Sequence, residues 1–342
     1  MTLHHSFPTL TAVQGLLVGH FTDPRRPTGC TVVLTPQGAV AGVDVRGAAP
    51  GTRETDLLHP SNSVQQIHAL LLSGGSAYGL DAASGVMRWL DERGFGLAVG
   101  PARVPIVPAA VIFDLWVDDW RDSAKNPNAI RVRPDAEAGY QACANASDEP
   151  VKQGNVGAGA GATIGKLNGP NCAMKGGIGS AAITVNGVTV AAMVVCNAVG
   201  DVFDPTTGEL LAGARQNAQS RVLRNMSHAQ INGENTQGVH VGGNTTIGVV
   251  ATDVALTKSQ ANRLAVVAHD GLARSIRPVH TPSDGDTMFA LSTGTNVQAA
   301  DMMLLSTLAA EVTALAVVNG IKAAQDLEFG GQWWPARQAK AS

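Results

Sequence analysis

The 342-residue chain carries 24 Lys and Arg against 27 Asp and Glu, a formal net charge of −3, and 44% hydrophobic residues. That is apolar sequence enough for one large α/β unit or two smaller ones, and it leaves no basic field to hold a phosphate backbone, so nucleic acid is excluded as a partner. Aromatics make up 4% and glycines number 39, which predicts a core of Ala, Val and Leu with close backbone packing.

The first twenty residues lack a basic start followed by a long apolar run, so no secretory signal is expected and the chain reads as cytoplasmic. No run approaches about 18 uninterrupted apolar residues, which speaks against a membrane span. Cys30, Cys143, Cys172 and Cys196 show neither a CxxC pair nor zinc spacing, and neither a metal nor another cofactor is expected.

In chain order, residues 31–46 read as a hairpin around Pro36-Gln37-Gly38. Over residues 61–93 the apolar spacing turns helical, with Val64, Ile67, His68, Leu71 and Leu72 on one face and Val86, Trp89 and Leu90 in a second segment. Pro101, Pro105 and Pro108 impose an extended path, and a strand can begin at Ala109. Residues 114–154 are polar surface around a short helix at 136–144. Strands at 181–185 and 188–196 turn at Asn186-Gly187, and the second leads to Asn197. The Gly- and Asn-rich stretch 204–243, with Arg215, Arg221 and Arg224, reads as an exposed linker before a compact apolar strand at 245–252. Residues 258–275 and 297–324 read as helices. Strands and helices interleave, with many hairpins, and this predicts a layered α+β or α/β sandwich in preference to a doubly wound sheet.

Three segments could carry chemistry. The Gly-rich block GNVGAGAGATIGK at 154–166 resembles a phosphate cradle, but Leu167 follows where a P-loop needs Ser or Thr, and Gly165 falls one residue late for GxGxxG. Its bland reading is a turn that lets strands approach, with Lys166 as a solvated charge. At Asn244-Thr245 a long polar segment meets a buried-looking strand, and the Thr hydroxyl could attack the preceding carbonyl to free its own α-amine as a base. The bland reading there is a strand start. Asp284-Gly285-Asp286 is either a turn or a carboxylate pair whose proton affinities separate, one group orienting a hydroxyl and the other managing its proton. No histidine sits in a GxSxG or HExxH setting; His4, His5, His59 and His280 fall in loops, and His228 and His240 read as surface.

Taken with DVRGAAPGTRETDLL at 44–58, LLSGGSAYGLDAASGVM at 71–87 and NTTIGVVATD at 244–253, the chain resembles the N-terminal-nucleophile-like family of L-aminopeptidase D-amidase/D-esterases, β-peptidyl aminopeptidases and the nylon-oligomer endo-hydrolase. The resemblance implies an α+β fold, a four-layered αββα-like sandwich, as a single catalytic domain over 1–342. It further implies autocleavage between Asn244 and Thr245 into 1–244 and 245–342 chains that stay together as a heterodimer, and a homotetramer of these. Thr245 with Asp284 and Asp286 resembles the nylon-hydrolase branch, as does the segment 111–121, whereas aminopeptidase members generally place Ser at the nucleophile. By the same resemblance Lys166 and Asn197 position charge and stabilise an oxyanion. The expected substrate is a small oligoamide, such as a 6-aminohexanoate oligomer, or a peptide. An aminopeptidase or D-esterase, an acyltransferase like the ornithine acetyltransferases, and an uncut binding protein are the competing readings.

Overall fold

The computed structural model describes residues 8–117, 131–234 and 242–338. Its main sheet has nine strands: β1 (Leu17–Thr22), β2 (Gly29–Val45), β3 (Thr52–Arg53), β4 (Ile67–Ser73), β5 (Ala109–Val111), β6 (Gly177–Val185), β7 (Val188–Asn197), β8 (Thr245–Val254) and β9 (Thr287–Asn296). Their order is β6-β7-β8-β9-β2-β4-β5-β3, with β1 also paired to β2. The joint is β2. Its residues 30–34 pair with β1 and β4, its residues 40–45 pair with β9, and between them the register slips from Leu34↔Ala69 to Ala39↔Ile67. Pro36-Gln37-Gly38 is therefore a bulge inside one strand and not the expected hairpin turn; Gly38 takes the left-handed φ of 85° that the bulge needs.

Side-chain alternation then builds four layers. Along β7, β8 and β9, Val194, Val250, Met288 and Ala290 face outward onto helices α4 (Lys258–Ser275) and α5 (Met302–Ala323). The intervening residues Met193, Val195, Ile247, Val249 and Phe289 face the other half of the sheet, where they meet Val33, Leu70 and Leu72. Val32, Leu34, Ala69 and Leu71 point away from that interior onto α1 (Ala82–Asp91) and α2 (Ala136–Ala144). The chain is thus a helix-sheet-sheet-helix sandwich, the αββα arrangement expected.

Strands with both faces covered lose the polar alternation of surface strands and become nearly continuous apolar runs. This explains one reversal: residues 67–73, whose spacing suggests a helix, form the fully buried strand β4, and the helix begins only at Ala82. The stretch 204–243 is also not a plain exposed linker. It contains the strand Leu210–Ala212 and the helix α3 (Met226–Ile231), and Arg215 is fully buried, its guanidinium donating to the carbonyls of Asn171, Ala173, Ala218 and Ser220. α5, 22 residues with a mean hydropathy of 1.7, is long and apolar enough to cross a membrane, but its apolarity is used against β6 and β7 in the core.

Candidate active site

Parity along the strands places the nucleophile candidate. Ile247, Val249 and Ala251 of β8 point between the sheet halves, so by period two Thr245 points there as well; Asn197, two residues past Val195, does the same from β7. The two are register partners across the β7 and β8 ladder, Thr245 3% exposed and Asn197 wholly buried. In the continuous chain Thr245 Oγ1 donates to the carbonyl oxygen of Asn244 at 2.5 Å, and that same oxygen accepts the Gly285 N–H at 3.0 Å.

The Asp284-Gly285-Asp286 loop lies directly against this peptide bond. Asn244 and Asp284 form a parallel bridge, and a Cβ on Gly285 would stand 2.9 Å from Thr245 Oγ1 and 2.6 Å from the Ala49 carbonyl oxygen, so no larger residue fits there without displacement. The loop is held by the 44–58 block: Ala49 N–H donates to the Asp284 carbonyl at 2.9 Å, and Arg46 and Gly47 N–H donate to that of Asp286 at 3.0 and 3.2 Å.

Both carboxylates are buried, but their surroundings differ. Asp286 Oδ1 accepts the Thr246 N–H at 2.7 Å, while Oδ2 accepts the His280 N–H at 3.0 Å and lies 2.8 Å from His280 Nδ1. Asp284 Oδ2 accepts the Thr281 N–H at 2.8 Å, and its Oδ1 has no hydrogen-bond partner among the described residues. Burial first, then the adjacent Asp286 charge, push Asp284 up to about 6; the Thr281 hydrogen bonds and Lys166 oppose them.

Lys166 is the third ionisable group beside the two carboxylates. It is 2% exposed, so the solvated-charge reading fails; its Nζ donates to Asn197 O at 2.8 Å and Asn197 Oδ1 at 3.1 Å and sits 5.3 Å from the Trp116 ring centroid. Burial brings it down to about 7 despite Asp284 and Asp286. Asn197 Oδ1 also accepts the Thr163 N–H at 3.0 Å, and its amide nitrogen donates to Phe113 O at 3.3 Å.

The Gly-rich block has the opposite polarity to a phosphate cradle. Its Gly159 and Ala162 carbonyls, with that of Gly176, converge on the buried ammonium of Lys175 at 2.9, 2.9 and 3.1 Å. Among the described residues no cluster of three or more His, Cys, Asp or Glu could hold a metal.

Thr245, Asn197, Lys166, Asp284 and Asp286 gather at one end of the interior between the two sheet halves. Sequence reasoning missed His280, placed in a loop but in fact bonded to Asp286, and His269 of α4, whose ring centroid lies 4.8 Å from that of His280. A histidine six residues before the second Asp, in HTPSDGD, was the one available signal. His4, His5, His240 and the end of the 111–121 segment lie outside the described residues.

This fold is that of the N-terminal-nucleophile hydrolases. The L-aminopeptidase D-Ala-esterase/amidase from Ochrobactrum anthropi, described as a variant of that fold, matches with a TM-score of 0.68 at 21% identity, over 97% of this chain and 92% of that one. The Burkholderia sp. beta-aminopeptidase matches with a TM-score of 0.66 at 23% identity, over 96% and 90%. Residues 8–332 match peptidase family S58, and the chain belongs to that family as a hydrolase acting on amide bonds. It is 48% identical over 304 residues to an uncharacterized aminopeptidase of Mycobacterium tuberculosis, covering 84% of this chain and 81% of that protein. It is 33% identical over 294 residues to the 6-aminohexanoate-oligomer endohydrolase of Kocuria sp., covering 85% and 75%.

Proposed function

We propose that the chain cleaves itself between Asn244 and Thr245 and then hydrolyses small oligoamides, 6-aminohexanoate oligomers among them, with Thr245 as nucleophile. The observation that carries this reading is the peptide bond itself: the Thr245 hydroxyl is held 2.5 Å from the Asn244 oxygen, with the Gly285 N–H on that oxygen and a buried carboxylate pair alongside. Attack of Oγ1 on the Asn244 carbonyl carbon puts negative charge on the oxygen that Gly285 already contacts. The C–N bond then breaks, the departing nitrogen takes the hydroxyl proton, and water hydrolyses the ester to leave the Asn244 carboxylate and the Thr245 α-amine.

In turnover the α-amine, whose ordinary pKa is about 8, accepts the Oγ1 proton as the oxygen attacks the substrate amide. The leaving amine takes that proton, and water releases the acyl group. Asp284 and Asp286 orient the amine and hydroxyl. Lys166 and Thr163 fix the carbonyl end of the Asn197 amide, and its nitrogen, with one hydrogen on Phe113 O, keeps the second for developing oxyanion charge.

The single domain 1–342 becomes chains 1–244 and 245–342 that remain one body, because the cut leaves β8 hydrogen-bonded to β7 and β9 to β2 across the two pieces. A homotetramer of such heterodimers in the cytoplasm completes the reading. A second reading, an aminopeptidase on small peptides, amides or esters, is favoured by the name of the 48% identical relative. Substrates with blocked amino termini separate the two: the oligoamide endohydrolase retains its kcat/KM when the ammonium is acylated, and a loss of about 100-fold or more would assign the aminopeptidase reading instead.

A further inference from the structure

Resting on the reading of Thr245 and the acidic pair above, we propose that His280 is a positioning residue for this hydrolase, holding Asp286 as the fixed carboxylate and leaving Asp284 as the group that exchanges protons beside Thr245. The two carboxylates are two residues apart and equally buried, so nothing in the sequence tells them apart; their partners do. Asp286 has both oxygens engaged, by the Thr246 N–H at 2.7 Å on one side and by the backbone N–H and ring of His280 at 3.0 and 2.8 Å on the other. Asp284 keeps one buried oxygen without a hydrogen-bond partner among the described residues, in the loop that packs on Thr245 Oγ1.

His280 is shaped for this contact. Its φ of 55° is left-handed, a region where a non-glycine residue is uncommon, and this turn aims both its N–H and its Nδ1 at one carboxylate oxygen. The ring is side-chain 17% exposed, and its other face meets the His269 ring edge-on at 4.8 Å. The charged and titratable groups around it are Asp286 and Asp284 on its own loop, His269 on α4 with Asp44 of β2 at 3.7 Å from its Nε2, Arg46 beyond β2, and Lys166 across the site. His269 is driven down to about 4 by burial, so a neutral ring packs on His280 at working pH.

The consequence has one sign. A neutral imidazole donates to the Asp286 charge and an imidazolium adds a positive charge beside it, so loss of either makes the second negative charge of the pair costlier and the pair takes up its proton at higher pH. On the acid side the kcat/KM profile carries a break from the Thr245 amine and a lower one from Asp284 at about 6.

The test compares wild type with His280→Ala, His280→Asn and His280→Gln, each first shown by intact mass to be cleaved, on a linear 6-aminohexanoate oligomer or, if wild type needs a free amine, alanine p-nitroanilide. His280→Ala is expected to move the lower break up by about one pH unit. The Asn amide reaches the place of Nδ1 and restores the profile; the Gln amide reaches that of Nε2 and does not. If alanine fails to fold, the Asn and Gln pair decides alone. Equal loss at every pH, or Asn and Gln behaving alike, overturns the proposal, whereas an uncut or inactive wild type overturns the reading of Thr245 on which it rests.

Discussion

At the residue scale, Asp284 carries a cost that the site requires. Its carboxyl is raised from 3.8 to about 6 by burial and by Asp286, so the folded state binds a proton more readily than the unfolded state between those values. Stability contributed by the protonated form is complete below about 4 and is lost as pH rises through about 6. Asp284→Asn keeps an oxygen for the Thr281 N–H and removes the buried charge. The variant is therefore expected to melt higher than wild type at pH 8, by a smaller margin at pH 5, and to lose about 100-fold or more in turnover, measured by calorimetry and steady-state kinetics. An equal Tm difference at both pH values contradicts the assignment. Gly285→Ala tests the close approach: its methyl would lie 2.6 Å from Ala49 O and 2.9 Å from Thr245 Oγ1, and self-cleavage followed by mass should slow at least about tenfold.

At the element scale, the sheet and its loops form one support for the site. β7 and β8 carry Asn197 and Thr245 to the same end by alternation, the block 44–58 holds the Asp-Gly-Asp loop, and the Gly-rich block is closed around Lys175. Lys175→Met removes the donor shared by three inward carbonyls, of which Gly159 O and Ala162 O keep the Ala162 and Gly176 N–H, and should cost roughly 3 kcal/mol in urea unfolding, with the Gly-rich turn loosened. Much of this was legible beforehand. The β6 and β7 hairpin at Asn186-Gly187, the bounds of α2 and α4, and the strand starting at Thr245 follow from turn chemistry and period. What period could not resolve was β4, where two covered faces erase alternation, and β2, where a bulge imitates a turn. For the site, Thr245 and the two Asp residues were legible as motifs, Lys166 and Asn197 only through the family resemblance, and His280 read merely as a loop residue, because the carboxylate it bonds lies six residues on and no motif links the two.

At the scale of the whole molecule, the position of Thr245 in the middle of the sheet decides what cleavage does. β8 and β9 are paired with strands contributed by residues 1–244, so the proposed cut would open one buried peptide without freeing an edge. The processed protein should run as a single species under native conditions and separate into two chains only in denaturant; two species on a native sizing column would contradict that topology. Thr245 is buried, so the amine that the proposed cut would release would emerge inside the sandwich, next to the Asp284-Gly285-Asp286 loop, and not in bulk water. The most direct test of the whole account is the intact mass of purified wild type beside Thr245→Ala. The account predicts fragments of 244 and 98 residues from wild type and an unbroken 342-residue chain from the variant. If both remain whole after long incubation, Thr245 is not released as an N-terminal nucleophile and the proposed mechanism is wrong.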